Sequence, residues 1–179
     1  MSQLSLESFT SCGAHRQGHF LLSSGLHSGD YLQCALFLAL PRRAESAGRL
    51  LAESLHGAGM KPDLVVSPAM GGLIIGHETA RALDVPHLFT ERSGTEMVLR
   101  RGFGVTPGQR IVVVEVLESA GAEVIAMASL VNRSGNPNPF APLPFHTLLS
   151  VDFPTWPAER CPFCAEGRPT DKPGSRPVA

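Results

Sequence analysis

The chain lacks the features that mark several specialised classes of protein. Its 179 residues include only four cysteines, too few and too unevenly spaced for a disulfide scaffold. No apolar run is long enough to cross a bilayer, and the N-terminus has neither the basic start nor the apolar middle of a secretory signal. The formal net charge is −1 and the basic residues are spread along the chain, so no broad nucleic-acid surface is expected. These absences favour a cytoplasmic protein that binds small molecules, with neither nucleic-acid nor membrane partners.

The residues that are present suit an ordinary folded domain. A hydrophobic content of 43% is enough for one globular domain with a full core. Residues 41–55 are predicted to form a helix whose buried face carries Ala44, Ala47, Leu51 and Leu55. Strand-like runs begin at residue 63 and cover residues 86–91, 109–115, 123–131 and 145–151. Strands that alternate with helices predict an α/β fold with a mostly parallel open sheet flanked by helices.

The first 40 residues differ in kind from the rest. Residues 19–33 contain two short strand-like runs around a Gly/Ser-rich turn, which predicts a small N-terminal hood beside the main sheet. The chain is therefore expected to form a single domain over residues 1–168, with the hood at about 1–40 and the core at about 41–168. Residues 169–179 are proline-rich and are predicted to be a disordered tail.

Residues 63–76 form a candidate phosphate site. An apolar run, a Pro/Gly break and a second apolar run are typical of a buried strand that leads through a tight turn into a helix. Free backbone N–H groups at the start of such a helix favour an anion. Gly71 and Gly72 would let the backbone approach a ligand closely, because glycine has no Cβ. The alternative is a strand-to-helix turn that binds nothing.

Two of the cysteines, Cys161 and Cys164, have the spacing of a pair of metal ligands. A structural zinc ion normally needs four ligands, and His146, although nearby in the sequence, does not complete the pattern. A metal or redox role and a reduced pair that only packs in the interior both remain open, and the sequence favours the reduced pair. It therefore assigns no metal ligand.

Several segments, in order along the chain, resemble orotate phosphoribosyltransferases of the bacterial and archaeal single-function type. These segments are the hairpin at 18–33, Ser-Pro-Ala-Met-Gly-Gly at 67–72, Phe-Thr-Glu-Arg at 89–92, Met-Val-Leu-Arg-Arg-Gly-Phe at 97–103, Leu-Val-Asn-Arg-Ser-Gly at 130–135 and Cys-Pro-Phe-Cys-Ala-Glu-Gly at 161–167. The ordered set is specific, although no single piece is. The resemblance implies the type I phosphoribosyltransferase fold.

The resemblance also implies a reaction, a cofactor and an assembly. The family transfers the 5-phosphoribosyl group from phosphoribosyl pyrophosphate to orotate, giving orotidine monophosphate and pyrophosphate in the synthesis of UMP. Mg²⁺ usually bridges the pyrophosphate and ribose oxygens, where it neutralises charge. Family members generally work as homodimers in which a mobile loop reaches into the neighbouring site. We therefore expect Mg²⁺ as the cofactor and a second copy of the chain as a partner.

The family pattern assigns roles to particular residues. Arg133 would hold the orotate carboxylate by a planar two-donor fork, and Arg92, Arg100 and Arg101 would be the catalytic arginines on the mobile loop. The other residues implied to bind substrate are Ser67, Ala69, Met70, Gly71, Gly72 and Glu115. The alternatives are a solvated loop arginine at 133 and a flexible basic hairpin at 92–101. Two departures remove positive charge, since Glu96 and Ser23 stand where the family often has basic residues.

A larger departure follows Glu115. The family continues this strand with two acidic residues, a Thr/Gly-rich turn that cradles the 5-phosphate, and a helix, but here the next strand begins after residues 116–123. A crossover between parallel strands needs about a dozen residues or more, and only eight are available. Three explanations compete, in this order: a segment that the gene product contains and this sequence lacks, a genuine internal deletion, and a hairpin in place of the crossover.

Two other functions remain open at the level of sequence. A genuine loss of the 5-phosphate turn would favour a degenerate, non-catalytic nucleotide-binding protein of the same fold. A sibling transferase that acts on a purine base is the other possibility, but Arg133 argues against it because a purine has no carboxylate.

Overall fold

The computed structural model describes residues 4–114 and 123–173. Its helices are α1 (Leu6–Thr10), α2 (Cys34–Leu38), α3 (Pro41–Gly57), α4 (Leu73–Leu83) and α5 (Pro162–Ala165). Its strands are β1 (His15–Leu21), β2 (His27–Leu32), β3 (Leu64–Pro68), β4 (His87–Ser93), β5 (Glu96–Leu99), β6 (Arg110–Val114), β7 (Glu123–Asn132), β8 (Phe145–Ser150) and β9 (Thr155–Trp156). None of the helices in these ranges combines the length and apolar character that crossing a bilayer requires.

The main sheet has six strands in the order β5-β4-β3-β6-β7-β8. All neighbours pair in parallel except β5, which is antiparallel to β4. This confirms the predicted α/β fold with a mostly parallel sheet. The chain leaves β3 toward β4 on one side and later places β6 on the other side, so the strand order reverses at β3. Ligands of open α/β sheets bind at the carboxyl ends of the strands beside such a reversal.

Helix α3 packs its predicted face into the core. Ala44, Ala47, Leu51 and Leu55 are all at most 1% exposed, which confirms the helical periodicity read from the sequence. The α3 helix crosses α4 closely at Gly48, where an added Cβ would lie 2.4 Å from the carbonyl carbon of Glu78. The central strands carry apolar β-branched residues because they are covered on both faces.

The hood is a three-stranded antiparallel sheet in the order β1-β2-β9. Its first two strands are the predicted hairpin, whereas β9 comes from the C-terminal part of the chain and was not predicted. The first residues of the predicted tail also lie against the hood. The N–H of Asp171 donates to the carbonyl of His19 and the carbonyl of Asp171 accepts from Leu21, both at 2.8 Å. These two hydrogen bonds pair Asp171 with β1, whereas residues 174–179 of the predicted tail lie outside the described residues.

The pairing of β6 with β7 decides one of the three explanations for the short connection. The two strands are parallel, with Arg110 opposite Glu123 and Val114 opposite Ala128. A hairpin joins antiparallel strands, so the explanation in which a hairpin replaces the crossover is wrong. The connecting residues 115–122 lie outside the described residues, and so does Glu115.

The segment after Arg92 also differs from its prediction as a loop. Residues 96–99 form β5, which pairs with β4 so that Met97 lies opposite Arg92. β5 thus becomes the edge strand of the main sheet and pairs with backbone groups of β4 that would otherwise be exposed.

Candidate active site

An open cleft of about 710 Å³ lies at the carboxyl edge of the main sheet. Its walls come from β2, β3, β4, β5, β7 and β8 and from the segments that follow β2, β3 and β7. The lining residues are Leu32, Gln33, Cys34, Ala35, Pro68, Ala69, Gly71, Arg92, Met97, Ala128, Ser129, Val131, Asn132, Arg133, Ser134, Pro139, Phe140 and Phe145. This is the edge at which the switch in strand order predicts a ligand.

The loop between β3 and α4 forms one wall of the cleft. The N–H of Ala69 donates to the carbonyl of Thr90 at 2.7 Å, which ties the loop to β4. Within the described ranges, no residue accepts a hydrogen bond from the N–H groups of Met70 or Gly71. Two backbone donors are therefore available next to the start of α4, where the helix dipole also favours an anion.

Ser67, near the end of β3, anchors the start of this loop through a buried side chain. Its side chain is 0% exposed, and its Oγ lies 2.8 Å from Nε2 of His87 in a hydrogen bond. Burial, and then the charge of nearby His77, lower the pKa of His87 to about 4, so its imidazole is neutral near pH 7. Gly76 makes this contact possible, since an added Cβ there would lie 2.6 Å from Ser67 Oγ. Ser67 therefore positions the loop and does not line the cleft.

Arg133 stands at the tip of a turn on the opposite wall. The side chain of Asn132, 7% exposed, accepts from the N–H of Ser134 at 3.0 Å and donates to the carbonyl of Asn136 at 2.8 Å. These two bonds form an Asx turn that leaves Arg133 at its exposed central position. Among the described residues, none forms an ion pair with the Arg133 guanidinium. The turn therefore presents a fixed, available cation to the cleft.

The three predicted catalytic arginines lie in two different places. Arg92, near the end of β4, lines the cleft, and no described side chain pairs with it. Arg101 lies outside the cleft lining, where it donates two hydrogen bonds of 2.7 and 2.8 Å to Glu91. Arg100 is also outside the lining, with its nearest guanidinium nitrogen 4.0 Å from Glu91. In this chain taken alone, only Arg92 is brought to the cleft.

The cleft thus unites four of the predicted site residues, which are Ala69, Gly71, Arg92 and Arg133. Five others lie beside it: Ser67 and Gly72 are buried under the loop, Met70 is 83% exposed, and Arg100 and Arg101 face Glu91.

Comparison of the amino-acid sequence with known proteins identifies relatives over most of the chain. A relative from Carboxydothermus hydrogenoformans named orotate phosphoribosyltransferase is 47% identical over 174 residues, covering 89% of this chain and 91% of the relative. A second protein of that name, from Heliobacterium modesticaldum, is 43% identical over 186 residues and 96% of each chain. The chain belongs to the orotate phosphoribosyltransferase family.

The solved structures support the fold assignment. The crystal structure of orotate phosphoribosyltransferase from Aeropyrum pernix matches with a TM-score of 0.67 and 23% identity, covering 81% of this chain and 92% of that chain. An adenine phosphoribosyltransferase from Thermoanaerobacter pseudethanolicus matches with a TM-score of 0.64 and 19% identity, covering 82% of this chain and 100% of that chain. No protein-family model matches the chain.

The alignment with the Heliobacterium family member shows a difference in length within the matched region. It extends over 186 positions although this chain has only 179 residues, so that relative has residues that this chain lacks. This agrees with the crossover argument, in which the sequence between two parallel strands is too short.

Other residues of the cleft were not singled out from the sequence. The hood contributes Leu32, Gln33 and Ala35 to one wall, and Phe140 and Phe145 form an apolar patch with ring centroids 5.1 Å apart. No local motif marks these residues, because their shared position depends on how the hood and the loop after β7 pack against the sheet. Asn132 did carry a signal, since an Asn followed by Arg-Ser-Gly is typical of a turn.

Proposed function

We propose that this chain transfers the 5-phosphoribosyl group from phosphoribosyl pyrophosphate to orotate in pyrimidine synthesis. The observation that carries the proposal is the position of Arg133, available at the tip of an Asx turn, in the same cleft as the Ala69–Gly71 loop. A carboxylate-bearing ring would bind at the wall that carries Arg133, and a diphosphate would bind at the wall formed by the Ala69–Gly71 loop. The ring would rest on the apolar patch of Phe140 and Phe145.

The residues of the cleft have separate roles in this reaction. A ring nitrogen of orotate attacks the anomeric carbon of the ribose, and the bond from that carbon to pyrophosphate breaks. The fork of Arg133 orients the ring through its carboxylate. The N–H groups of Met70 and Gly71, together with Arg92, stabilise the charge that develops on the departing pyrophosphate. No covalent intermediate with the protein is required.

The described lining does not form a magnesium cage of its own, because it contains no carboxylate. Mg²⁺ often keeps several water ligands and binds through substrate phosphates together with one or two carboxylates. We therefore propose that Mg²⁺ arrives on the phosphoribosyl donor, where it would neutralise pyrophosphate charge. Glu115, which follows β6, is the acidic residue that we propose to bind substrate there, although it lies outside the described residues.

We also propose that the chain works as a homodimer. The apolar side chains of Met70 and Ile74 are 83% and 46% exposed, beside a groove of about 410 Å³ lined in part by Leu73 and Phe89. Such a patch favours a partner surface. Arg100 and Arg101, which do not line the cleft of their own chain, would then act in the site of the partner.

The proposal is tested by a steady-state assay with orotate, phosphoribosyl pyrophosphate and Mg²⁺, in which orotate absorbance is lost as product forms. Intact-mass measurement of the expressed protein must accompany it, because it shows whether the segment after Glu115 is present. A mass that matches only these 179 residues identifies a genuine deletion, and we then expect turnover reduced by orders of magnitude. Absence of turnover in protein that contains the segment would contradict the proposed activity.

A further inference from the structure

Four side chains that can bind a metal meet between the hood and the C-terminal segment. They are His19 on β1, His27 on β2, Cys161 directly before α5 and Cys164 within α5. One ligand atom from each residue lies within 4.8 Å of the other three. His19, His27 and Cys161 are 4%, 8% and 2% exposed, so the cluster is an interior feature and not a chance meeting of surface groups.

The spacing of these atoms suits a tetrahedral zinc ion. Zn–S bonds of about 2.3 Å and Zn–N bonds of about 2.05 Å place a sulfur and a nitrogen of one site about 3.5 Å apart. Here Sγ of Cys164 lies 3.6 Å from Nε2 of His19 and 3.3 Å from Nδ1 of His27. Sγ of Cys161 lies 3.5 Å from Nε2 of His19.

The two ring nitrogens are closer together than one zinc ion would leave them. Nε2 of His19 and Nδ1 of His27 are 2.7 Å apart. Two nitrogens bound to the same zinc ion lie about 3.3 Å apart, so binding would separate the rings by about half an ångström. That movement is within the reach of side-chain rotation.

His19 is held with the correct nitrogen toward the cluster. Its Nδ1 lies 2.9 Å from the carbonyl oxygen of Arg168, and a carbonyl only accepts. Nδ1 therefore carries the proton, and Nε2 offers its lone pair to the cluster. Metal-binding histidines are commonly oriented by such a hydrogen bond from the other ring nitrogen to a backbone carbonyl.

The surrounding packing brings the two parts of the chain together. The ring of Phe163, between the two cysteines, lies 5.5 Å from the ring of His19 and 5.9 Å from that of Trp156 on β9. Gly29 on β2 leaves room for it, since an added Cβ would lie 3.0 Å from the Phe163 ring. The hairpin and α5 are therefore shaped for this close approach.

We propose that His19, His27, Cys161 and Cys164 bind a structural zinc ion that fastens the C-terminal segment to the hood. Four protein ligands leave no open coordination position, which distinguishes a structural from a catalytic zinc site. Binding displaces the thiol protons of both cysteines, because the thiolate is the ligand. The site also supports the cleft at a distance, since β2 begins at His27 and ends at Leu32, which lines the cleft.

The first test is the metal content of the chain expressed without a polyhistidine tag, in zinc-supplemented medium, and purified without chelators. We expect about one zinc ion per chain by inductively coupled plasma mass spectrometry. Removal by a chelator should lower the melting temperature by about 5 °C or more, because the metal stabilises only the folded chain. Zinc well below one equivalent, with Cys161 and Cys164 free or joined by a disulfide, would overturn the proposal.

The second test locates the metal. Cys164→Ser should lose the zinc, whereas Cys12→Ser, a control in a half-buried cysteine outside the cluster, should retain it. Cobalt exchanged into the wild-type protein should show sulfur-to-metal charge-transfer bands and the intense visible absorption of a tetrahedral site. The cobalt spectrum of the wild-type protein tests whether cysteine sulfur binds the metal even if Cys164→Ser fails to fold. A weak octahedral spectrum without sulfur bands would contradict the assignment, and so would equal zinc in both variants.

Discussion

At the scale of single residues, ligand binding in the cleft depends on charged side chains that are not already paired with another residue of the chain. Arg133 stands out because the hydrogen bonds of Asn132 shape the turn and leave the guanidinium to a ligand. Arg101 shows the opposite case, since its Nε and one of its terminal nitrogens already donate to Glu91. The sequence predicted a site role for both arginines, substrate binding for Arg133 and catalysis for Arg101, and their surroundings in the fold differ.

Replacing Arg133 with lysine tests the two-donor fork. We expect kcat/KM for orotate to fall by about 10- to 100-fold, because lysine retains the charge but cannot donate two parallel hydrogen bonds to a carboxylate. The KM for phosphoribosyl pyrophosphate should change little. Arg49→Lys on the exposed face of α3 is the matched control. An equal loss in both variants, or none in Arg133→Lys, would refute the role of the fork.

The lowered pKa of the half-buried His87 predicts that the stability of the fold depends on pH. Its pKa of about 4 in the folded protein lies below the ordinary 6.5, so between these values the unfolded chain binds more protons. The stabilisation by neutral His87 is therefore complete above about pH 6.5 and is lost as the pH falls toward 4. Allowing for its partial exposure, we expect about 1 kcal/mol to be lost between pH 7 and pH 5.

Urea unfolding of His87→Gln at both pH values measures this contribution. The glutamine amide can still bond to Ser67, and the variant should lose less stability than the wild type on acidification by that amount. His56→Gln, at an exposed position on α3, controls for the loss of a histidine as such. If His87→Gln is as sensitive to acid as the wild type, the role assigned to burial of His87 is wrong.

At the scale of elements, helix α3 and the central strands could be predicted because their patterns are local. The apolar spacing of α3 and the runs of β6 and β7 identify each element without knowledge of its partners. Strands β5 and β9 could not be predicted in this way. β5 is short and half-buried, and β9 has only two residues, so both are defined by the strand beside them.

The crossing of α3 over α4 predicts opposite effects for two glycines of the same helix. Gly48→Ala should lower the free energy of unfolding by about 1 to 3 kcal/mol, because its Cβ would overlap the backbone of Glu78. Gly57→Ala, with nothing within 4 Å of its Cβ, should raise the stability by up to about 1 kcal/mol. Urea denaturation measures both. Destabilisation of equal size in the two variants would mean that the close crossing is not the cause.

At the scale of the whole molecule, the first part of the chain takes part in two sites, the cleft that it shares with the main sheet and the proposed zinc cluster that it shares with the C-terminal segment. The cleft takes residues from β2, β3, β4 and β7, and the proposed zinc cluster joins residues more than 140 positions apart. β6 and β7 pair in parallel, and the connection between them after Val114 is shorter than the dozen or so residues that a crossover between parallel strands needs.

The proposed homodimer is tested at this scale. Ile74→Glu places a charge in the exposed apolar patch and should convert a dimer to monomers at micromolar concentration, as measured by light scattering. Leu36→Glu is the matched control, because Leu36 is similarly exposed, at 48%, but lies on α2. A monomeric wild-type protein would exclude the dimer. A dimer that survives Ile74→Glu would place the interface elsewhere.

The sequence by itself determined the α/β fold class, the helix at α3, the turn after β3 and the turn that carries Arg133, because each depends on residues that are neighbours in the chain. The tertiary structure decided which of these segments meet. It placed Arg133 and the Ala69–Gly71 loop on two walls of one cleft, left Arg100 and Arg101 beside Glu91 outside the cleft lining, and placed two hood histidines beside two C-terminal cysteines. Periodicity and turn chemistry act over a few residues, whereas such contacts follow from burying apolar surfaces that are distant in the chain.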